Sequence, residues 1–402
     1  DLSVLSITPT RMQFIPFSPS ETKLRKSSPL NVREQIGHCL LAAVLFTLLP
    51  DTVSGTLNSP GAAELKLSEA DWPWWRGPER NGHARNQSVP TEWSQNKNVL
   101  WSASIPGRGH SSPTVVGDNL FLTSSDENEK TQSVLSYDRA TGKHRWITQI
   151  HNGGWDGRIH QRNTQATPTI ACDGERLFVT FMFKEQIWLT ALNFDGDILW
   201  QKKASDFVSH WGYSTSPAIY DSLVIVVADH RDGGTISGID RATGERVWQT
   251  SRPTTPNYAS PVIFNLNGQD QIILPGCEMI ASYHPKSGRL LWSSPVTTQE
   301  TVGSAVTDGI RVYASGGWPK NETACVLADG SSELVWRNSI RIYAPSMLAT
   351  NGYLYTMTDK GLAHCWNGET GKLMWREKNG GDFSASPTLV GDNLYVSNEQ
   401  GK

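Results

Sequence analysis

Cysteine is scarce in this 402-residue chain, and badly spaced for chemistry: Cys39, Cys172, Cys277, Cys325 and Cys365 all stand alone. Without Cys-x-x-Cys-His or a metal-type spacing, covalent haem and thiolate metal sites have no support in the sequence. Cys325 and Cys365 take similar places in neighbouring repeats, too far apart to bridge, so buried free thiols are expected. Basic excess is also missing. Lys plus Arg number 36 against 39 Asp plus Glu, for a net charge of −3, which makes nucleic acid a poor partner. Long apolar runs are absent as well. The run from Ile36 to Leu49 has 14 residues and contains His38, too short to cross a bilayer comfortably. Apolar stripes at period 3.6 are missing, which argues against helical repeats. There is no Gly-x-Ser-x-Gly elbow, phosphate-binding Gly-x-x-x-x-Gly-Lys or His-Glu-x-x-His. Asp126-Glu127-Asn128-Glu129 lacks the glycine and spacing of a calcium loop and reads as solvated.

Tryptophan, by contrast, occurs 16 times, and its spacing exposes a repeat. Segments aligned on Ser112-Pro113, Thr167-Pro168, Ser216-Pro217, Ser260-Pro261, Ser304-Ala305, Pro345-Ser346 and Ser386-Pro387 recur at 55, 49, 44, 44, 41 and 41 residues. Each opens an apolar run, then a tight turn such as Asn267-Gly268 or Asn351-Gly352, then a second run rich in strand formers. Each repeat closes alike. Asp138-Arg139-Ala140-Thr141-Gly142 leads to Trp146, and Asp240-Arg241-Ala242-Thr243-Gly244 leads to Trp248. Further copies end at Trp292 and Trp375, and looser ones at Trp200 and Trp336. Asp and Thr can bond turn backbone, Gly can take positive φ, and the large indole can fill the wedge between units. The expected fold is all-β: a β-propeller of four-stranded blades, six complete plus a partial seventh, with seven or eight in an intact chain. The simplest closure pairs the segment around Trp101 with the strands of 386–398, since a ring must leave no open edge.

These copies resemble the tryptophan-docking motif of the PQQ-repeat (pyrroloquinoline-quinone-like) propellers, over roughly residues 98–402. Asp71-Trp72-Pro73-Trp74-Trp75-Arg76-Gly77-Pro78 is similar to the opening of secreted bacterial members with no known biochemical role. The resemblance implies one of two functions. The superfamily includes quinoprotein dehydrogenases, which use PQQ and calcium, and a cofactor-free propeller of outer-membrane assembly that binds protein partners. This chain lacks the adjacent cysteine pair of quinoprotein alcohol dehydrogenases, and fold alone does not choose between the two.

Four regions are expected. Residues 1–55 form an N-terminal extension, in which basic residues precede the 36–49 run as in an export signal. Residues 56–71 form a linker, 72–97 a Trp-rich arm, and 98–402 a C-terminally truncated propeller. Export to the periplasm or cell envelope follows, with membrane association only through the signal or envelope partners. Connections leading into the repeats should converge on one face. They carry Arg108, His110, Trp155, Arg162, Asn163, His210, Trp211, Tyr213, Asn257, Tyr258, Glu300, Tyr343, Asp382 and Phe383, a polar and aromatic set suited to a binding mouth. Trp146, Trp200, Trp248, Trp292, Trp336 and Trp375 are structural. The expected role is non-enzymatic binding of a protein partner or small ligand at that face, with no cofactor and no metal. The alternative, a PQQ- and calcium-dependent dehydrogenase, would draw on Arg108 and Arg162 with Trp155 or Trp211, and on Glu300 or Asp382 for calcium.

Overall fold

The computed structural model describes residues 65–94, 96–154 and 159–401, with the backbone of Ser3–Thr8 and Arg11–Phe14. The 36–49 run, Cys39 and Trp155 lie outside the described residues. Among the described residues there is no helix. Six four-stranded antiparallel sheets, each a continuous meander, follow one another along the chain, and a seventh sheet has five strands. Blade 1 comprises Thr114–Val116, Asn119–Asp126, Thr131–Asp138 and His144–Asn152. Blades 2 to 6 repeat that order up to Lys378. First strands of successive blades touch one another around the axis.

The recurring Ser at the repeat start has a simple reason. At five links the backbone N–H donates to the hydroxyl of its counterpart in the next blade, while between Ser260 and Ser304 the Ser304 hydroxyl donates to the Ser260 carbonyl (3.1 Å). Ser112 donates to Thr169 (2.9 Å), Thr169 to Ser216 (2.9 Å) and Ser216 to Ser260 (2.9 Å). Ser304 donates to Ser346 (3.0 Å) and Ser346 to Ser386 (2.8 Å). These bonds form a hydroxyl girdle around the channel, each worth about 1 kcal/mol. The girdle also corrects the alignment: the second repeat is registered on Thr169, not on Thr167-Pro168, and the linked residues stand 57, 47, 44, 42 and 40 apart.

A second girdle lies outside. Asp138 Oδ1 accepts from the backbone N–H (2.9 Å) and hydroxyl (2.7 Å) of Thr141, and Asp240 does the same for Thr243. The turn's glycine then lies flat on the preceding blade's indole. Gly288 has φ +67°, and a Cβ there would sit 2.2 Å from the Trp248 ring. The indole N–H completes the dock: Trp146 donates to Phe194 O (2.8 Å), Trp248 to Pro285 O (3.1 Å) and Trp336 to Gly368 O (2.8 Å). Three copies depart from this, the Trp200 and Trp375 indole N–H groups having no hydrogen-bond partner among the described residues. Trp292 donates within its own blade to Gln271 (2.8 Å). The carbonyl due to Trp200, that of Arg241, accepts instead from Arg176 (3.1 Å).

Closure differs from the expectation. The segment around Trp101 forms no strand; Trp101 instead docks on blade 1, its ring under Gly142 and its N–H donating to Arg139 O (2.9 Å). Thr388–Val390 and Asn393–Val396 are extended on the outer side by Ser3–Thr8 and Arg11–Phe14. On the inner side His83–Ala84 adds in parallel. A strand from elsewhere in the chain can pair as well as a neighbour, because ladder bonds do not record sequence distance.

The Trp-rich arm enters the channel and ties the inner strands together. Trp72 pairs with Val115, Cys172 donates its N–H to Pro73 O (2.8 Å), and Trp75 donates to Ser304 Oγ (2.9 Å). Arg76 donates to Pro387 O (2.9 Å) and Met347 O (2.6 Å), and Arg80 to Ile219 O (2.6 Å). Both guanidiniums are buried without a carboxylate bonded to them. Burial alone lowers Arg76 to about 9 and outweighs the distant Asp270 to lower Arg80 to about 10. Inner-edge carbonyls are unpaired in any blade that ends on a first strand, and the arm supplies their donors. All four cysteines of the described residues are buried free thiols.

Candidate functional site: the mouth face

In an up-and-down blade the connection between blades and the turn between second and third strands emerge on one face. Contacts confirm this geometry. Arg108 pairs with Ser125, Cys277 N–H donates to Gln299 O (2.9 Å), and Glu300 N–H donates to Trp318 O (3.1 Å). The connections carrying the sequence-derived mouth residues, Trp155 aside, therefore emerge on one face, but the residues divide into three groups.

One half of the mouth, over blades 7, 1 and 2, is exposed and charged. Arg162 lies 3.0 Å from Asp382 and 3.5 Å from Glu399, and Asp382 also holds Lys360 at 2.9 Å. Lys360, then Arg162, hold the Asp382 carboxyl below its ordinary range against a small burial effect. Arg108 faces Glu127 at 3.7 Å. His110 is exposed, its N–H donating to Ala166 O (3.0 Å). Asn163 and the backbone of His160 both donate to Trp211 O, and the Trp211 ring packs against His210 (4.3 Å) and His160 (5.6 Å). Deeper under this half, His151 stacks on Phe183 at 4.3 Å and bonds Gln132 at 3.0 Å. Burial pulls its imidazole down to about 4.

The other half, over blades 3 to 6, is closed and nearly neutral. Tyr258 and Glu300 are each only 6% exposed. The Tyr343 hydroxyl donates to Glu300 Oε2 (3.2 Å). Burial raises the Glu300 carboxyl above its usual range, with Tyr343 and Arg231 offsetting part of that. Burial also raises Tyr258 and Tyr343, and the Glu300 charge adds to both. The hydroxyls of Tyr258 and Thr301 are buried and have no partner among the described residues. Arg341 lies over the Tyr343 ring at 5.0 Å.

The third group is interior. Tyr213 is buried and donates to Val227 O (2.9 Å), and Phe383 belongs to the core between blades 6 and 7. Asn257 is buried too, donating to Asp229 (3.1 Å) and to Pro275 O (3.0 Å) and accepting from Thr301 N–H (3.2 Å). These three offer no surface, because their connections turn inward just before the girdle serine. Asn257 is part of a network the sequence did not reveal. Arg252 donates to Asp229 (2.7 Å) and to the Tyr283 hydroxyl (2.6 Å), with both members of the ion pair fully buried. Burial would depress the Arg252 guanidinium, but Asp229 holds it raised. Trp318 was also missed; the Gly316-Gly317-Trp318-Pro319 turn was its only signal.

The donor set does not suit a tricarboxylate quinone with calcium. Arg108 and Arg162 already face carboxylates, and Glu300 is turned to a tyrosine. No group of three His, Cys, Asp or Glu among the described residues is placed to hold a metal ion.

Over residues 91–154, 130–351 and 320–402 the chain matches the family described as outer membrane protein assembly factor BamB. It is 25% identical over 369 residues to the protein of that description from Burkholderia pseudomallei, covering 78% of this chain and 90% of that one. The Legionella pneumophila protein of the same description is 23% identical over 200 residues, covering 47% of this chain. The chain spans about half the length of that relative, 49%. The crystal structure of BamB from Moraxella catarrhalis superposes with a TM-score of 0.53 at 14% identity, covering 73% of this chain and 82% of that one, a likeness of fold.

Proposed function

The chain belongs to the PQQ-repeat β-propeller family described as outer membrane protein assembly factor BamB, and from that premise we propose that it is a non-enzymatic binding scaffold of the cell envelope. Its mouth face engages a protein partner, chiefly through the charged half. The observation that carries this reading is the Arg162–Asp382–Glu399 cluster. It joins connections 220 residues apart on an exposed surface, above a channel that the arm fills from within. A polar, adaptable rim over a closed interior suits a macromolecular contact better than a small substrate, which needs a concave pocket.

Photo-cross-linkers placed at His160 on the mouth and at Thr141 on the opposite face, in cells, test it. Adducts from His160 alone, weakened by Arg162→Glu and by salt, are expected. Equal adducts from both faces would remove the support. The dehydrogenase alternative is tested separately by thermal unfolding with PQQ and calcium. A ligand bound only by the native state at 100 times its Kd adds about 2.7 kcal/mol. No calcium-dependent shift is expected.

A further inference from the structure

The closed half of the mouth has the chemistry of a ligand site rather than of a protein contact. Tyr258, from the connection between blades 3 and 4, presents a hydroxyl that is buried and unpartnered. Tyr343, two connections further round, donates to Oε2 of Glu300, from the connection between them, and leaves the carboxyl's other oxygen to a ligand. Beside them stands Trp318, whose large indole is 57% exposed. Its position is pinned: its carbonyl takes the Glu300 N–H at 3.1 Å, and a Cβ on its neighbour Gly317 would meet the Tyr343 ring at 2.9 Å. The charges balance. Arg231 acts on Glu300 and Tyr258, and Arg341 sits near Asp359 at 3.9 Å. A strong cation or anion gains little from such a set, whereas a neutral molecule with many hydroxyls and an apolar face gains from each part.

We propose that Tyr258, Glu300, Tyr343 and Trp318 form a binding site for a neutral saccharide, one pyranose unit lying against the Trp318 indole. The apolar C–H face of the sugar covers an aromatic surface that is otherwise wet. The sugar's hydroxyls, each both donor and acceptor, meet the Tyr258 hydroxyl and the free Glu300 oxygen. Leaving the buried Tyr258 hydroxyl without a partner is costly, and a polyol relieves that cost where an apolar ligand would not. The proposal does not rest on the partner reading, which uses the opposite half of the mouth.

The test is calorimetric titration of the purified chain with neutral cello-, xylo-, malto- and chito-oligosaccharides, with tryptophan fluorescence as a second readout. Saturable binding of one series is expected, at a Kd of about 1 mM or tighter. Trp318→Ala, at an exposed position, should weaken it about tenfold, and Tyr258→Phe, which keeps the ring, several-fold. Arg162→Ala should leave it unchanged and so separates this site from the partner surface. Absence of binding by every series at about twenty times that concentration overturns the proposal. So does binding that survives both Trp318→Ala and Tyr258→Phe, or preference for an acidic saccharide that Arg231→Ala abolishes.

Discussion

The two halves of the mouth are built from the same residue types and behave in opposite ways. Over blades 7, 1 and 2, Arg162, Asp382, Glu399 and Lys360 meet in water. Beneath the closed half, in blades 3 and 4, the interior group of Arg252, Asp229 and Asn257 meets where no water reaches. Exposed ion pairs are screened and worth about 0–1 kcal/mol, so the first half can exchange its partners at little cost. A buried pair that loses one member leaves a bare charge in a poor solvent, so the second half holds its geometry. The lesson is that burial, not residue identity, separates an adaptable contact surface from a rigid site.

The sharpest way to break the comparison is Arg252→Leu. Asp229 would be left buried with only the neutral Asn257 amide and Cys277 thiol as partners, and urea unfolding should show a loss of about 3–5 kcal/mol. A loss below about 1 kcal/mol would erase the distinction between the halves. Next in size is His151, a buried group beneath the exposed half. Its folded value, about 4, lies below the unfolded 6.5. Its contribution is therefore complete above about pH 6.5 and is lost as the pH falls towards 4, amounting to about 3 kcal/mol. Stability curves of His151→Gln and the native chain should converge across that window; parallel curves would show that the imidazole titrates freely.

Glu300 carries the opposite sign. Its folded value is raised by burial, so its contribution is full below the ordinary carboxylate range and is lost as the pH rises through the folded value. Glu300→Gln should gain on the native chain as the pH rises from 4 to 7, by less than the His151 effect. A constant gap across that range would contradict the buried setting. The smallest change belongs to Arg162→Ala, within about 1 kcal/mol and smaller still in high salt. A loss of several kcal/mol there would make the exposed half as rigid as the other.

Much of the fold was legible because it repeats. Asp138-x-x-Thr141-Gly142 and its copies state a turn, a positive φ and, by Trp146, a docking indole within nine residues, and local chemistry of that kind survives in one dimension. The girdle serines were visible as a period, though their role was not, since the partner of each lies in a neighbouring blade. The mouth was legible as a set, because topology alone delivers those connections to one face. Its members were not separable: Tyr213 and Tyr258 each precede a girdle serine, yet one donates to a core carbonyl and the other has no partner.

By itself the sequence determined the strands, the turns, the blade period and the face on which the connections gather, because these follow from alternation, glycine and near-neighbour hydrogen bonds. Only the tertiary structure decided which charges are wet and which are dry, how the arm from Trp72 to Ala84 fills the channel, and that Trp101 docks rather than pairs. Those outcomes depend on groups that meet across the ring, and the cost of bringing them together is set by the solvent left between them, which no single stretch of sequence specifies.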